Sequence, residues 1–207
     1  MKRVEIKKPQ LIAIPAGPEA LKQFLETEKH QPWQTAKTML LMGLGGSLSP
    51  ECEIGRGVLI DRVWNLLNPE SPECTFCDSI LTQTILQRCS SLSVATGVTS
   101  DRVITSAQEK RTLGDRYSAS VVDMESAVLV QAIPHAQLAV LRVISDDCHH
   151  DLPNIEQAIA PDGSLRPVVL ALRFLQRPLA AARLVRGSLK GLKTLEALAL
   201  DLFQSKE

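Results

Sequence analysis

The sequence predicts an α/β fold: one domain with a mixed central β-sheet flanked by helices. Three features predict it. Thr38-Met39-Leu40-Leu41-Met42 and the stretch from Leu138 to Ile144 are short apolar runs, as expected of strands buried on both faces. Segments with helical apolar spacing stand between such runs, for instance Ile80, Leu81, Ile85 and Leu86 after Asp78. Glycine and proline punctuate the joins. With 207 residues, this alternation describes one sizeable core rather than two.

The elements follow in order. Gln10 to Ile14 reads as a first strand, stopped by Pro15-Ala16-Gly17-Pro18. Leu21, Phe24 and Leu25 give helical spacing from Glu19 to about Lys29. Thr38 to Met42 is the next strand, followed by Gly43-Leu44-Gly45-Gly46-Ser47, and Val58 to Val63 is another. Turn residues make 69–77 a loop, and Asp78 caps a helix running to about Cys89. Ser91 to Thr96 and Asp101 to Thr105 read as short strands, and Ala107 to Leu113 as a short helix ended by Gly114. Ala119 to Val122 is a strand, Met124 to Ile133 a helix and Leu138 to Ile144 a strand. Pro153 to Ala160 and Arg166 to Gln176 read as helices; Arg177-Pro178 breaks the second, and Leu179 to Phe203 forms one or two amphipathic helices. The expected unit is therefore 1–207, with a helical segment from about residue 153.

Composition narrows the function. Lys+Arg and Asp+Glu are both 23, so no net charge draws the chain to nucleic acid or an anionic surface. No window offers the ~20 apolar residues of a membrane span. Residues 1–8 are charged and lack the apolar core of a signal peptide, so a cytoplasmic location is expected. Five scattered cysteines fit a reducing compartment. Cys74-Thr75-Phe76-Cys77 has no second ligand pair for zinc and reads as two ordinary cysteines in a loop. His149-His150 reads as a solvated loop, so neither a metal nor a resident cofactor is expected.

Two segments carry the chemistry: Val121-Val122-Asp123-Met124-Glu125-Ser126-Ala127 and Leu141-Arg142-Val143-Ile144-Ser145-Asp146-Asp147. Each places an acid where an apolar strand ends. If both strands belong to one sheet, Glu125 and Asp146 emerge at the same carboxyl edge, where open α/β sheets bind ligands. They would then face one pocket with Gly45 and Gly46 on its wall. Glu125 in the first turn of a helix favours its ionised form, which accepts hydroxyl hydrogen bonds from a sugar diol. Asp146 beyond an apolar strand is partly desolvated, which suits it to deliver a proton. Gly43-Leu44-Gly45-Gly46-Ser47 allows a close backbone approach or a tight turn, and lacks the G-x-G-x-x-G order of a dinucleotide site.

M-E-S-A after one strand and R-V-I-S-D after the next resemble the nucleoside phosphorylase and methylthioadenosine/S-adenosylhomocysteine nucleosidase superfamily. Met42 to Pro50 followed by Ile54 to Ile60 looks like that family's Gly-Gly turn and next strand. Thr99 to Ile104, then Glu109-Lys110, resembles its base-binding segment. The polar tail, Asp151-Leu152-Pro153, Pro161 to Arg166 and Arg177-Pro178, is similar to the hopanoid-associated phosphorylase branch, which acts on an adenosyl-hopanoid. The resemblance implies cleavage of a purine N-glycosidic bond by water or by phosphate as co-substrate. It implies Asp146 as proton donor, Glu125 and Met124 at the sugar, Val103, Ile104 and Ser145 at the base, and Gly45 and Gly46 beside the nucleophile. It offers Glu19 as a water-activating acid and implies a homodimer.

One departure stands out. The stretch from Ile14 to Met42 has no room for the strand pair and G-x-G-x-x-x-A segment that the family carries there. The alternative is a non-catalytic nucleoside-binding or structural relative. An intact pocket with a bound purine would favour the enzyme; a pocket open to bulk water, with Glu125 paired to a protein cation, would favour that alternative. Arg56 and Arg102 are candidate phosphate cations, and the cationic amphipathic segment Arg183 to Leu195 suits a subunit interface or peripheral membrane contact.

Overall fold

Apolar runs that must be covered on both faces need neighbours on every side. The computed structural model, which describes residues 9–27, 32–160, 162–164 and 166–203, supplies them by closing the sheet on itself. The elements are α1 (Pro18–Thr27), β1 (Thr38–Ser47), β2 (Gly57–Asn65), β3 (Glu73–Phe76), α2 (Ser79–Arg88), β4 (Ser93–Thr99), α3 (Ala107–Tyr117), β5 (Val121–Asp123), α4 (Ser126–Ala132), β6 (Gln137–Asp146), α5 (Pro167–Gln176) and α6 (Pro178–Phe203). Residues 1–8, 28 and 29, on which the leader reading and the end of the first helix rest, lie outside the described residues, as do Pro161 and Leu165 of the tail.

β1 pairs in parallel with β6 and antiparallel with β5; β5 and β2 flank β4 in parallel; β2 returns antiparallel onto β6. The pairings thus run in a circuit, β2–β4–β5–β1–β6–β2, with β3 as a hairpin outside it. The sheet is mixed and helices cover it, as expected of this α/β domain. β6 is buried almost throughout. Its Leu138 and Val140 enter a core with α1 and α4, while Ala139, Leu141 and Val143 enter another with α2 and α6. That double burial explains the continuous apolar run.

Several elements differ from the sequence reading. Residues 10–14 form no strand: Ile12 and Ile14 pack on the α1–α4 core through their side chains, while Leu11 is 96% exposed. Residues 101–105 form none either; Ile104 drops into a core beneath α3 with Leu48, Val98 and Val122. Part of the expected loop at 69–77 is β3, because the turn residues before Glu73 fold the chain back onto β2. From 153 to 160 only a 3-10 turn forms, at Glu156–Ala158. The break at Arg177-Pro178 is as read, with α5 ending at Gln176, and Pro178 also starts α6, the first position being where proline's missing N–H costs nothing. α6 is one continuous helix. Cys74 and Cys77 are free, and burial, with Asp123 and Asp61 adding to it, pushes the Cys77 thiol up to about 12. Such a thiol is not a redox nucleophile at neutral pH.

Candidate active site

A guanidinium in the middle of an apolar strand has to be paired. Arg142 of β6 is 3% exposed. Its Nε donates to Asp123 Oδ2 at 2.7 Å, and one Nη donates to Glu125 Oε2 at 3.1 Å and lies 3.3 Å from the Ser126 hydroxyl. Gly43 stands opposite Arg142 in the ladder, and a Cβ there would collide with the guanidinium. Asp123 also accepts from Thr99 Oγ1 at 2.8 Å, from the Ser126 hydroxyl and from the Ser126 N–H at 3.2 Å. The strand end, the start of α4 and the middle of β6 are thus tied by one buried network.

Glu125 lies one residue before α4, at its N-cap, and makes no cap bond. Its carboxylate instead accepts the Gly17 N–H at 2.9 Å and the Arg142 bond. Gly17 has φ +92°, a conformation that favours glycine, and the side chain of Met124 packs beside it. Burial pushes the Glu125 carboxyl above the ordinary glutamate range. Arg142 pulls against that, Asp123 adds to it, and the Gly17 N–H only partly offsets it.

The sign of the pH effect follows. Folded Glu125 holds its proton more tightly than unfolded Glu125. Its stabilising contribution is therefore complete below the ordinary glutamate value and is lost as pH rises through the raised one. Glu125→Gln stays neutral throughout. Denaturation midpoints measured across the acid-to-neutral range should show the variant gaining on wild type as pH rises. A variant that instead loses ground would show that Arg142 outweighs burial.

Asp146 belongs to a second network. Lys110 of α3 is 1% exposed; its ammonium pairs with Asp146 Oδ2 and donates to the Asp147 carbonyl at 2.8 Å. The Ser145 hydroxyl donates to Asp146 Oδ1 at 2.7 Å, with the Gly45 carbonyl 3.3 Å away. Register slips here: Gly45 pairs with Ile144 and Gly46 with Asp146, leaving Ser145 as the extra residue of a bulge. A Cβ on Gly46 would lie 2.9 Å from Asp146 Oδ2.

The common carboxyl edge needs correction. β5 runs antiparallel to β1, and β6 runs parallel to β1, so β5 and β6 end in opposite directions. Gly45 faces Val121 and Arg142, whereas Gly46 faces Val122 and Asp146. Neighbouring strand residues project to opposite faces. The Arg142–Glu125 network and the Lys110–Asp146 pair therefore meet β1 from opposite sides, with Gly43, Gly45 and Gly46 between them.

The remaining candidates fall as follows. Ser145 is in the Asp146 network. Val103 is half-buried in the irregular stretch before α3, and the Ile104 side chain is core. Glu19 is 74% exposed at its side chain and pairs with Lys22 on α1, apart from both networks. Arg56 donates to the Glu51 carbonyl at 2.9 Å, and Arg102 pairs with Glu109 at 2.6 Å. Among the described residues, no group of three His, Cys, Asp or Glu side chains could hold a metal ion. Lys110 was read only within the segment that resembles the base-binding stretch and Arg142 only within the second signature, and their pairing with the two acids was missed. Lys110 has a readable signal: with Ala107 and Gly114 it occupies the buried stripe of α3, where a lysine needs a partner.

Comparisons with known proteins agree with this architecture. A family model described as the Phosphorylase superfamily matches residues 15–176. No curated protein matches. A 5′-methylthioadenosine/S-adenosyl homocysteine nucleosidase from Campylobacter jejuni is similar in structure, with 17% identity, 88% of this chain and 78% of that one covered, and a TM-score of 0.56. Native futalosine hydrolase of Helicobacter pylori strain 26695 gives 17% identity, 88% and 76% coverage, and a TM-score of 0.54. A mutant of that hydrolase gives 21% identity and a TM-score of 0.49, over 54% of this chain and 59% of that one. This chain thus spans less than two thirds of the length of that last structure. At such identities the likeness is one of fold. The family match extends over most of the sequence, and this chain belongs to the phosphorylase superfamily.

Proposed function

We propose that the protein cleaves the N-glycosidic bond of a purine nucleoside carrying an adenosyl group, with Asp146 giving the proton to the departing base. The observation that carries the reading is that the two segments of the resemblance meet in one network around Asp123, Glu125 and Arg142, with the Glu125 side chain 14% exposed rather than open to bulk water. Arg142 and the Gly17 N–H orient Glu125 without using every one of the roughly four acceptor positions of its carboxylate, which leaves capacity for a sugar hydroxyl. That contact would tighten as the ring takes on oxocarbenium character. Because Arg56 and Arg102 are engaged elsewhere, water is favoured over phosphate as the nucleophile.

A second reading is that of a non-catalytic relative that binds a nucleoside. The ion-paired state of both acids, and their approach from opposite faces of β1, favour it. Incubation with adenosine, methylthioadenosine and S-adenosylhomocysteine, with and without phosphate, separates the two. Free adenine without phosphate is the expected result. Adenine only with phosphate would make the reaction phosphorolysis. No adenine from any of them, with a nucleoside still raising the melting temperature, would favour the second reading.

A further inference from the structure

α5 is a largely apolar helix, PVVLALRFLQ, with no buried residue. Val168, Leu172, Leu175 and Leu179 are 74%, 56%, 77% and 76% exposed. Val168, Leu172 and Leu175 lie on one face of α5 by their spacing, and Leu179, Leu189 and Leu192 are further exposed leucines on α6, beyond the break at Arg177. An exposed cluster of large apolar side chains marks an interaction surface. Its charge says which kind. Every charged residue from Arg166 to Lys193 is a cation. Arg173 bonds to the neutral Gln157 and Gln176, and Arg177 has Asp151 only at 3.9 Å.

We propose that α5 and the outer face of α6 dock on an anionic lipid bilayer, lying in the plane of its headgroups. The apolar face of α5 would enter the acyl boundary and the arginines would meet lipid phosphates. A second copy of this chain fits less well, because a two-fold contact would set this acid-free stretch against itself. Spanning is excluded: α5 is about 15 Å long, and no helix among the described residues is long and apolar enough to cross a membrane. This inference is independent of the proposed catalysis.

The test is flotation of the full chain with vesicles of phosphatidylcholine alone and of phosphatidylcholine mixed with phosphatidylglycerol. Binding to the mixed vesicles, weakened by salt, is expected. Leu172→Glu/Leu175→Glu should abolish it with an unchanged unfolding midpoint, since both side chains are exposed. Arg177→Gln/Arg183→Gln should weaken it about 30-fold at low salt. The proposal is overturned by no binding to the mixed vesicles, by equal binding to phosphatidylcholine alone, or by binding that survives the double leucine change. It is also overturned if sedimentation shows a wild-type dimer that this change converts to monomer.

Discussion

Arg142→Met should destabilise the protein by about 3–5 kcal/mol. The cause is what the change leaves behind. The Asp123 side chain is 1% exposed and loses its only ion-pair partner among the described residues, while Glu125 keeps only backbone N–H donors such as that of Gly17. A buried ion pair adds little net stability over a well-packed apolar replacement, but removing one member strands the other. Arg142→Lys should recover only part of the loss, because a single ammonium cannot reproduce the fork that reaches both acids. Asp123→Asn combined with Arg142→Met should be less unstable than the two single losses added together. Urea denaturation checks this. A loss below about 1 kcal/mol, as for an exposed pair, would show that the network does not hold β5, α4 and β6 together.

Asp146→Asn is the larger effect on chemistry. If Asp146 supplies the proton, kcat should fall about 10²–10⁴-fold with KM changing much less. The same change strands Lys110, which is 1% exposed, so the variant will also lose stability. The two consequences can be separated. Asp146→Asn with Lys110→Met removes both charges and should regain stability while remaining slow. Rates of adenine release and denaturation midpoints on the same preparations check it. A double variant that cleaves at near the wild-type rate would show that the proton comes from elsewhere.

Both predictions depend on pairs that join distant stretches of chain, and this separates what was legible from what was not. β6 could be read directly because it is buried on both faces, so almost every residue must be apolar, and β1, only partly buried, still shows the continuous apolar run Met39 to Met42. α2 was legible for a local reason: the Asp78 side chain accepts the Leu81 N–H at 2.7 Å. Segment 10–14 misled because half-burial by side-chain packing leaves the same pattern as half-burial in a sheet. β3 was hidden because a four-residue edge strand is too short to show alternation.

The candidate site divides in the same way. Glu125, Asp146 and the glycines between them stood out because each follows an apolar run at a break in the pattern. Residue type and spacing were enough to name them. Their surroundings were not legible. Lys110 meets Asp146 across 36 positions and Arg142 meets Glu125 across 17, and no local periodicity encodes such a pairing. The direction of β5 was decided only when it settled antiparallel beside β1, which makes β5 and β6 end in opposite directions. By itself the sequence determined which strands are core and which acids interrupt them, because burial acts on each residue where it stands. The tertiary structure alone decided which charges neutralise one another, because an ion pair in a low-dielectric interior depends on distances that exist only after the sheet has closed.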